Sequence, residues 1–192
     1  MEKVLIVAAH PDDDILGCGG FMAKYAEKYA FRVIFIAEGS SCRYGCAECC
    51  SADVQKVIKQ RNNFGKKALS VLGVSDLVFY DLPCGRLDQE PLIDIGKIVE
   101  NEIRTFKPTI IFTHSKMDVN NDHKLIFQAT LQATRPGAQN LVQKLYTFEV
   151  LSSSEWQFVD SFIPNFFVTL SEKEILLKIK ALKEKTEYFK TD

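Results

Sequence analysis

Histidines and carboxylates, the side chains that most often bind divalent metal ions, are concentrated in two short stretches of this chain. In the first stretch, His10 and Pro11 are followed by three successive carboxylates, Asp12, Asp13 and Asp14. Adjacent carboxylates repel one another, and a bound cation or backbone N–H groups relieve that repulsion. An imidazole beside carboxylates forms a nitrogen and oxygen ligand set that suits zinc or a similar divalent ion. The first stretch therefore predicts a metal site.

Two other interpretations of the first stretch remain open. One aspartate can cap a helix that begins near Ile15, although a cap needs only one of the three. The segment Gly17-Cys18-Gly19-Gly20 is a fragment of the dinucleotide-binding fingerprint. The acidic residues beside that fragment would repel a pyrophosphate, so a metal site is the favoured hypothesis.

The second stretch runs from His114 to His123 and holds the other two of the three histidines. Imidazole is a leading metal ligand and proton carrier. His123 begins a helical pattern that Asp122 can cap. A second histidine beside His10 and a carboxylate gives the three-ligand arrangement with an open position that hydrolytic zinc sites use.

Six cysteines are present, and four of them lie together in one loop. Cys42, Cys46 and Cys49 have the C-x3-C-x2-C spacing that can hold an iron–sulfur cluster, and Cys50 follows directly. A structural zinc on these thiolates is a second interpretation. Reduced thiols in a mobile loop over the metal site are a third, which makes the loop a candidate lid.

The elements that position these stretches alternate between strands and helices. Helical patterns lie at Val54–Leu72, before Gly73, and at Leu92–Ile103, before Pro108. The strand-like apolar runs are Val4–Ala9, Val33–Ala37, Leu77–Tyr80, Thr109–Thr113 and Leu145–Val150. This order predicts an α/β, Rossmann-like fold with a mainly parallel sheet and helices on both faces.

Two further elements are predicted near the C-terminus. The apolar region Trp156–Leu170 is expected to form another strand. Ser171 and Glu174 have the spacing of a capping box before a last, lysine-rich helix.

Composition narrows the class of protein. The 192 residues fit one domain, expected to span 1–192. Lys and Arg total 24 against 25 for Asp and Glu, which gives no electrostatic reason to propose nucleic acid as a partner. No signal segment is evident, and no apolar run is long enough for stable insertion into a membrane. We therefore expect a cytoplasmic protein with reduced cysteines.

The sequence resembles the LmbE/PIG-L deacetylases, which are zinc-dependent enzymes that remove the acetyl group from N-acetylglucosamine-type sugars and their conjugates. Two motifs carry the resemblance, His10-Pro11-Asp12-Asp13-Asp14 and Asp118-x-Asn120-x-Asp122-His123. By matching positions, the resemblance implies zinc bound by His10, Asp13 and His123. It also implies that Asp12 is the general base that activates water.

Two positions depart from the pattern of many members of that family. Asp14 stands where many have glutamate, which keeps the charge and shortens the reach. Asn120 stands where many have a histidine thought to stabilise the oxyanion or protonate the amine. Asparagine can donate a hydrogen bond to an oxyanion but supplies no proton, so we hypothesise that His114 takes over the proton role. Asp122 is expected either to orient a histidine or to cap the helix.

The expected partner is a small N-acetylated sugar or sugar conjugate. Arg43 and Arg61 are candidates to contact a sugar or phosphate group, with surface ion pairing as the alternative for each. Trp156 is a candidate for stacking on a sugar. The chain ends in a helical pattern after Tyr188-Phe189, so a C-terminal extension found in relatives is expected to be missing, and a homo-oligomer remains open.

Two rival functions come from other classes of protein. A nucleotide-binding or redox protein would use the glycine turn and the cysteine loop. A catalytically silent, metal-dependent sugar-binding module would use the same metal ligands without cleaving an amide.

Overall fold

A five-stranded parallel sheet forms the centre of the molecule. The computed structural model describes residues 1–45, 47–136, 142–156 and 161–186. The strand order is β3-β2-β1-β4-β5, and every neighbouring pair is parallel. The strands are β1 (Lys3–Ala8), β2 (Ala30–Ala37), β3 (Leu77–Leu82), β4 (Ile110–His114) and β5 (Lys144–Phe148). The predicted Rossmann-like α/β fold is confirmed.

Helices cover both faces of this sheet, because β1 is apolar on both of its faces. Val4, Ile6 and Ala8 pack with residues of α1, α2 and α6, while Leu5, Val7 and Ala9 pack with α3 and α4. Alternate residues of a strand point to opposite faces, so an uninterrupted apolar run indicates a strand that is buried twice. The helices are α1 (Asp13–Tyr25), α2 (Ala52–Val71), α3 (Leu92–Phe106), α4 (Asn121–Ala133), α5 (Leu151–Ser154) and α6 (Glu172–Thr186).

The strand order reverses at β1, which lies between β2 and β4. The carboxyl ends of β1 and β4 are therefore neighbours, and the chain leaves them toward opposite sides of the sheet. In open parallel sheets the crevice at such a switch point is where ligands bind. Both stretches of histidines and carboxylates begin at this point, after Ala8 and at His114.

The prediction of a strand over Trp156–Leu170 is wrong for the residues described. Residues 161–170 contain no regular strand, and residues 157–160 lie outside the described residues. The Phe166 ring instead stacks on Tyr146 with centroids 4.6 Å apart, while Ile163 and Phe167 are largely exposed. One of the two bonds of the predicted capping box is present, since the Ser171 N–H donates to Glu174 Oε2 over 2.5 Å.

The glycines after the first stretch permit close packing of α1. A Cβ atom on Gly17 would lie 2.3 Å from the Phe148 ring, and one on Gly20 would lie 2.5 Å from Leu170. These contacts explain the glycines without a bound phosphate. Among the described residues, no helix combines the length and the apolar composition needed to cross a membrane.

Candidate metal centre

Three side chains from the two stretches meet at the switch point. His10 follows β1, Asp13 is the first residue of α1, and His123 lies in the first turn of α4. His10 Nδ1 is 3.3 Å from Asp13 Oδ2, His123 Nε2 is 3.4 Å from the same oxygen, and the two ring nitrogens are 3.4 Å apart. All three residues are buried.

The size of this triangle fits a metal ion. In a tetrahedral zinc site with ligand bonds of 2.0–2.1 Å, neighbouring ligand atoms lie about 3.3–3.4 Å apart. The three measured separations have this value, and the donors are two imidazoles and one carboxylate. The structure thus brings together the three residues predicted as ligands. Their role in binding a metal stays a prediction.

A carboxylate from α4 holds the ring of His10. Asp122 Oδ2 lies 3.0 Å from His10 Nε2 and accepts a hydrogen bond from the Gly85 N–H over 2.7 Å. Burial lowers the pKa of His10, but the hydrogen bonds to Asp122 and Asp13 raise it overall, to about 10. A second carboxylate on the far nitrogen of a metal-binding histidine fixes the orientation of the ring.

The helix cap of α4 differs from the prediction. Asn120, not Asp122, is the N-cap, and its Oδ1 accepts from the Asp122 N–H over 2.9 Å. The prediction that Asp122 caps the helix is wrong, because the helix already begins at Asn121 and the Asp122 side chain is directed to His10. Of the two alternatives for Asp122, the structure shows the contact with a histidine. The cap uses the side-chain oxygen of Asn120, so its NH₂ group takes no part in the cap.

The ring of His123 is held in the same way from within the second stretch. Asp118 Oδ2 lies 2.8 Å from His123 Nδ1 and accepts from Ser153 Oγ over 2.9 Å. Burial lowers the pKa of His123, but the charge of Asp13 and the bond to Asp118 raise it to about 9. The sequence had indicated no role for Asp118 or Ser153. The spacing of five residues between Asp118 and His123 is the sequence feature that could have indicated this contact.

His114 lies directly behind the triangle. Its side chain is fully buried, its ring stacks on that of His123 with centroids 3.9 Å apart, and its Nε2 is 3.5 Å from Asp13 Oδ2. Nε2 accepts a hydrogen bond from the Ala9 N–H over 2.9 Å, which places the ring proton on Nδ1. Burial and the neighbouring His123 hold the pKa of His114 well below its ordinary value. The ring is therefore neutral, and its predicted role in proton transfer stays a prediction.

Asp12 pairs with Arg61 and is not one of the three residues of the triangle. Its side chain makes no capping hydrogen bond, and its Oδ1 accepts from Arg61 Nη2 over 2.9 Å. The side chain of Asp12 is 25% exposed and that of Arg61 only 7%. Arg61 lies against the backbone at Gly39, where a Cβ atom would approach its Nε to 2.8 Å. Thus one aspartate of the triplet belongs to the triangle, while its neighbour stands at the open side.

The two predicted substrate arginines lie in different surroundings. Arg61 is buried and paired with Asp12, whereas the exposed Arg43 donates to the Gly39 carbonyl over 3.0 Å. Trp156 is 66% exposed. A role of these side chains in substrate binding stays a prediction.

The cysteine loop packs against the turn that follows β3. Cys46 lies outside the described residues, so the predicted cluster on Cys42, Cys46 and Cys49 stays a prediction. Within the part of the chain that the structure describes, no group of metal-capable side chains includes Cys42, Cys49 or Cys50. One such group joins Cys84 to His10 and Asp122, a neighbourhood that the sequence had not indicated.

Comparisons with known proteins identify sequence relatives of this chain. Residues 5–134 match the family model PIG-L, described as GlcNAc-PI de-N-acetylase. The chain is 25% identical over 188 residues to YaiS, an uncharacterized deacetylase of Escherichia coli K12, and the match covers 95% of this chain and 90% of YaiS.

Two solved structures share the fold. The N,N'-diacetylchitobiose deacetylase of Pyrococcus horikoshii has a TM-score of 0.74 and 17% identity, covering 98% of this chain and 71% of that one. GalB of Pseudomonas putida KT2440, a 4-carboxy-2-hydroxymuconate hydratase, has a TM-score of 0.73 and 22% identity, covering 100% and 84%. One fold therefore carries different reactions, and the chemistry must be argued from the site.

Proposed function

The chain belongs to the PIG-L family of GlcNAc-PI de-N-acetylases, and from this premise we propose that it is a zinc-dependent N-deacetylase. The reaction is hydrolysis of the N-acetyl group of an amino sugar or sugar conjugate, which releases acetate and the free amine. The observation that carries the proposal is the buried triangle of His10 Nδ1, Asp13 Oδ2 and His123 Nε2, with sides of 3.3–3.4 Å.

His10, Asp13 and His123 would hold the metal. Two neutral imidazoles and a carboxylate favour zinc among the divalent ions, and three protein ligands leave one position open. When bound, zinc polarises a carbonyl oxygen and lowers the pKa of a coordinated water to near neutrality. Asp118 and Asp122 hold the ring nitrogens on the far sides of the histidines, which presents Nε2 of His123 and Nδ1 of His10 toward the centre.

Asp12 would accept the proton of the attacking water. It adjoins the ligand Asp13 in the chain but is not part of the triangle, and its partly exposed carboxylate stands on the open side of the site. The Arg61 guanidinium holds one carboxylate oxygen at 2.9 Å and leaves the other for the proton. A base fixed in this way contributes through its position as well as its basicity.

The remaining groups would act on the substrate. The NH₂ group of Asn120 is proposed to donate to the developing oxyanion. Return of the proton to the leaving amine is proposed for Asp12, since His114 is sealed from solvent and its Nε2 is bonded to the Ala9 N–H. Arg43 is an exposed cation in the turn after β2, and it is proposed to contact a sugar hydroxyl or a phosphate.

The test measures acetate and amine release together with metal content. Purified protein loaded with zinc is incubated with free N-acetylglucosamine, N,N'-diacetylchitobiose and an N-acetylglucosaminyl inositol conjugate. We expect acetate and amine in equal amounts from at least one of them, with about one zinc per chain. His123→Ala should lose both the zinc and the activity.

Matched controls separate chemistry from folding. Asp53→Asn alters an exposed carboxylate on α2 that pairs with Lys56, and it should change neither zinc content nor rate. Sugar binding by the zinc-loaded protein with no acetate from any substrate would contradict the proposal and favour a silent binding module. Addition of water to an unsaturated carboxylic acid, with no acetate released, would assign the chain to the chemistry of GalB.

A further inference from the structure

Two cysteines that the proposed function does not use lie in neighbouring turns beside the candidate metal centre. Cys42 is in the short helical turn Ser41–Arg43 after β2, and Cys84 is in the turn after β3. Each thiol shifts the pKa of the other, so the two side chains are neighbours. The two backbones also approach closely, since a Cβ atom on Gly85 would lie 3.0 Å from Cys42 Cβ. Cys42 is exposed and Cys84 is buried.

A single buried carboxylate holds these two turns together. Glu38 Oε1 accepts from the Cys84 N–H over 2.9 Å, and Glu38 Oε2 accepts from the Ser41 N–H over 2.9 Å. Arg86 adds a second tie, because its guanidinium donates to the Tyr44 carbonyl over 3.1 Å. The turns that carry the two cysteines are therefore fixed against each other, and bringing the thiols together costs little additional conformational entropy.

The same turn is bonded to the support of a candidate metal ligand. The Gly85 N–H donates to Asp122 Oδ2 over 2.7 Å and the Leu87 N–H to Asp122 Oδ1 over 3.4 Å. Asp122 in turn holds the His10 ring. A covalent change at Cys84 is thus next in the chain to the Gly85 amide, which holds the Asp122 carboxylate in place against His10.

We propose that Cys42 and Cys84 form a reversible disulfide at the rim of the metal centre. The oxidant is a peroxide: the Cys42 sulfur attacks one peroxide oxygen, and Cys42 sulfenic acid and water are formed. The Cys84 thiol then attacks that sulfur, the S–S bond forms, and a second water leaves. Overall, two thiols and one hydrogen peroxide give one disulfide and two waters, and the thiols supply both electrons.

The roles of the two thiols follow from their surroundings. Cys42 is accessible to a peroxide, while the buried Cys84 is held against it as the resolving partner. The neighbouring Cys84 thiol lowers the pKa of the Cys42 thiol to about 6, which is the direction expected for a thiol that reacts first. Disulfides in reducing compartments are mostly transient and redox-sensing, so a bond of this kind fits the expected location of the chain.

Peptide mapping tests the proposal directly, because trypsin places the cysteines on separate peptides. Cleavage after Lys and Arg leaves Cys42 on 33–43, Cys84 on 68–86, and the other loop cysteines together on 44–56. Folded protein is treated with hydrogen peroxide, quenched in acid, alkylated and digested. We expect loss of two thiols per chain and a cross-link between 33–43 and 68–86 that dithiothreitol reverses.

Three controls make the result decisive. Cys42→Ser should abolish the cross-link, and Cys49→Ser should retain it. Protein oxidised while unfolded in guanidinium should yield a mixture of pairings. A cross-link that involves 44–56 instead, or oxidation of Cys42 to the sulfinic acid without a cross-link, would overturn the proposal. None of these readouts requires deacetylase activity, so the proposal stands or fails separately from the proposed function.

A second measurement tests the connection to the metal centre. Because the Cys84 turn holds Asp122, we expect the oxidised protein to bind zinc about 10- to 100-fold more weakly in competition with a chelator, as outer-shell changes do. Cys42→Ser, treated with the same peroxide, should show no loss. Equal affinity of the oxidised and reduced wild type would overturn the regulatory consequence.

Discussion

The two strand-end segments that build the candidate metal centre supply different kinds of groups. The first segment, residues 9–14, places two candidate ligands only three positions apart, and the His10 N–H itself donates to Asp13 Oδ2 over 2.8 Å. The second segment, residues 114–123, supplies one ligand and both carboxylates that hold the histidine rings: His123, Asp118 and Asp122.

This difference separates the binding of a metal from the positioning of the histidine rings that would bind it. Loss of the His10 or Asp13 side chain would remove a candidate ligand, whereas most changes in the second segment would leave the candidate ligands in place and loosen them. The two segments are also bonded to each other, since His10 of the first is held by Asp122 of the second. The predictions below test this division, beginning with the largest expected effect.

Neighbouring aspartates of the first segment should behave differently. Asp13→Asn removes the charge at the corner of the triangle, so zinc affinity should fall by more than the roughly 10- to 100-fold cost of an outer-shell change. Asp12→Asn should keep about one zinc per chain and lose about 100- to 10,000-fold in turnover, the usual contribution of a general base. Elemental analysis and acetate release check both variants. Equal zinc loss in both would contradict the division of roles.

A supporting residue of the second segment should give a graded effect. Asp118→Asn keeps the shape of the side chain but removes the charge beside His123 Nδ1, 2.8 Å away. Zinc affinity should fall about 10- to 100-fold while the protein still binds one ion at saturation. Chelator competition measures this change. An affinity equal to that of wild type would show that Asp118 does not position the ligand.

The cross-bonds between the segments predict a pH dependence for the metal-free protein. The pKa of His10 is raised to about 10 and that of His123 to about 9. Because folding raises the pKa of both histidines, their protonated forms stabilise the folded protein. This stability is fully present below the unfolded pKa of about 6.5 and is lost as pH rises through about 9 to 10. The urea midpoint of chelator-treated protein should therefore fall between pH 7 and pH 10.

The control for this prediction removes one titrating group. His123→Asn should show a smaller fall in the urea midpoint over the same pH range, because one raised pKa is gone. An identical fall in the variant and the wild type would assign the pH dependence to other residues, such as tyrosines and lysines.

The smallest effect is expected at Ser153, which contacts the supporting carboxylate Asp118 from outside the second segment. Ser153→Ala removes the hydrogen bond from Ser153 Oγ to Asp118 Oδ2. A net hydrogen bond is worth about 0.5–1.5 kcal/mol, so zinc affinity should fall roughly 2- to 10-fold. Isothermal titration of zinc into the apo protein checks this value. A loss of zinc affinity larger than that of Asp118→Asn would contradict the idea that Ser153 acts only through Asp118.

The fold was predictable because its central strand is apolar on both faces and because strands alternate with helical patterns. Such runs as Leu5–Val7 determine both the strand and its central place in the sheet. The region Trp156–Leu170 was not predictable in the same way. A run of aromatic residues that looks like a strand in the sequence can also occur without one, where a ring packs on a single neighbour as Phe166 does on Tyr146.

The site was predictable where its residues lie close together in the sequence. His10 and Asp13 share one motif, and His123 belongs to the second. The contacts of Asp122 with Gly85 and of Glu38 with Cys84 join residues 37 and 46 positions apart. No local pattern indicates such pairs, since the register of neighbouring strands decides which turns meet.

The placement of the ligands also determines when the site can exist during synthesis. His10 and His123 are 113 positions apart. At roughly 5–20 residues per second, a ribosome needs about 6–23 s between these two codons. During that interval the nascent chain carries the first motif without its third ligand or either supporting carboxylate. Binding of a metal by all three candidate ligands would therefore require that β4 and the start of α4 have emerged and docked, when most of the sheet is already in place.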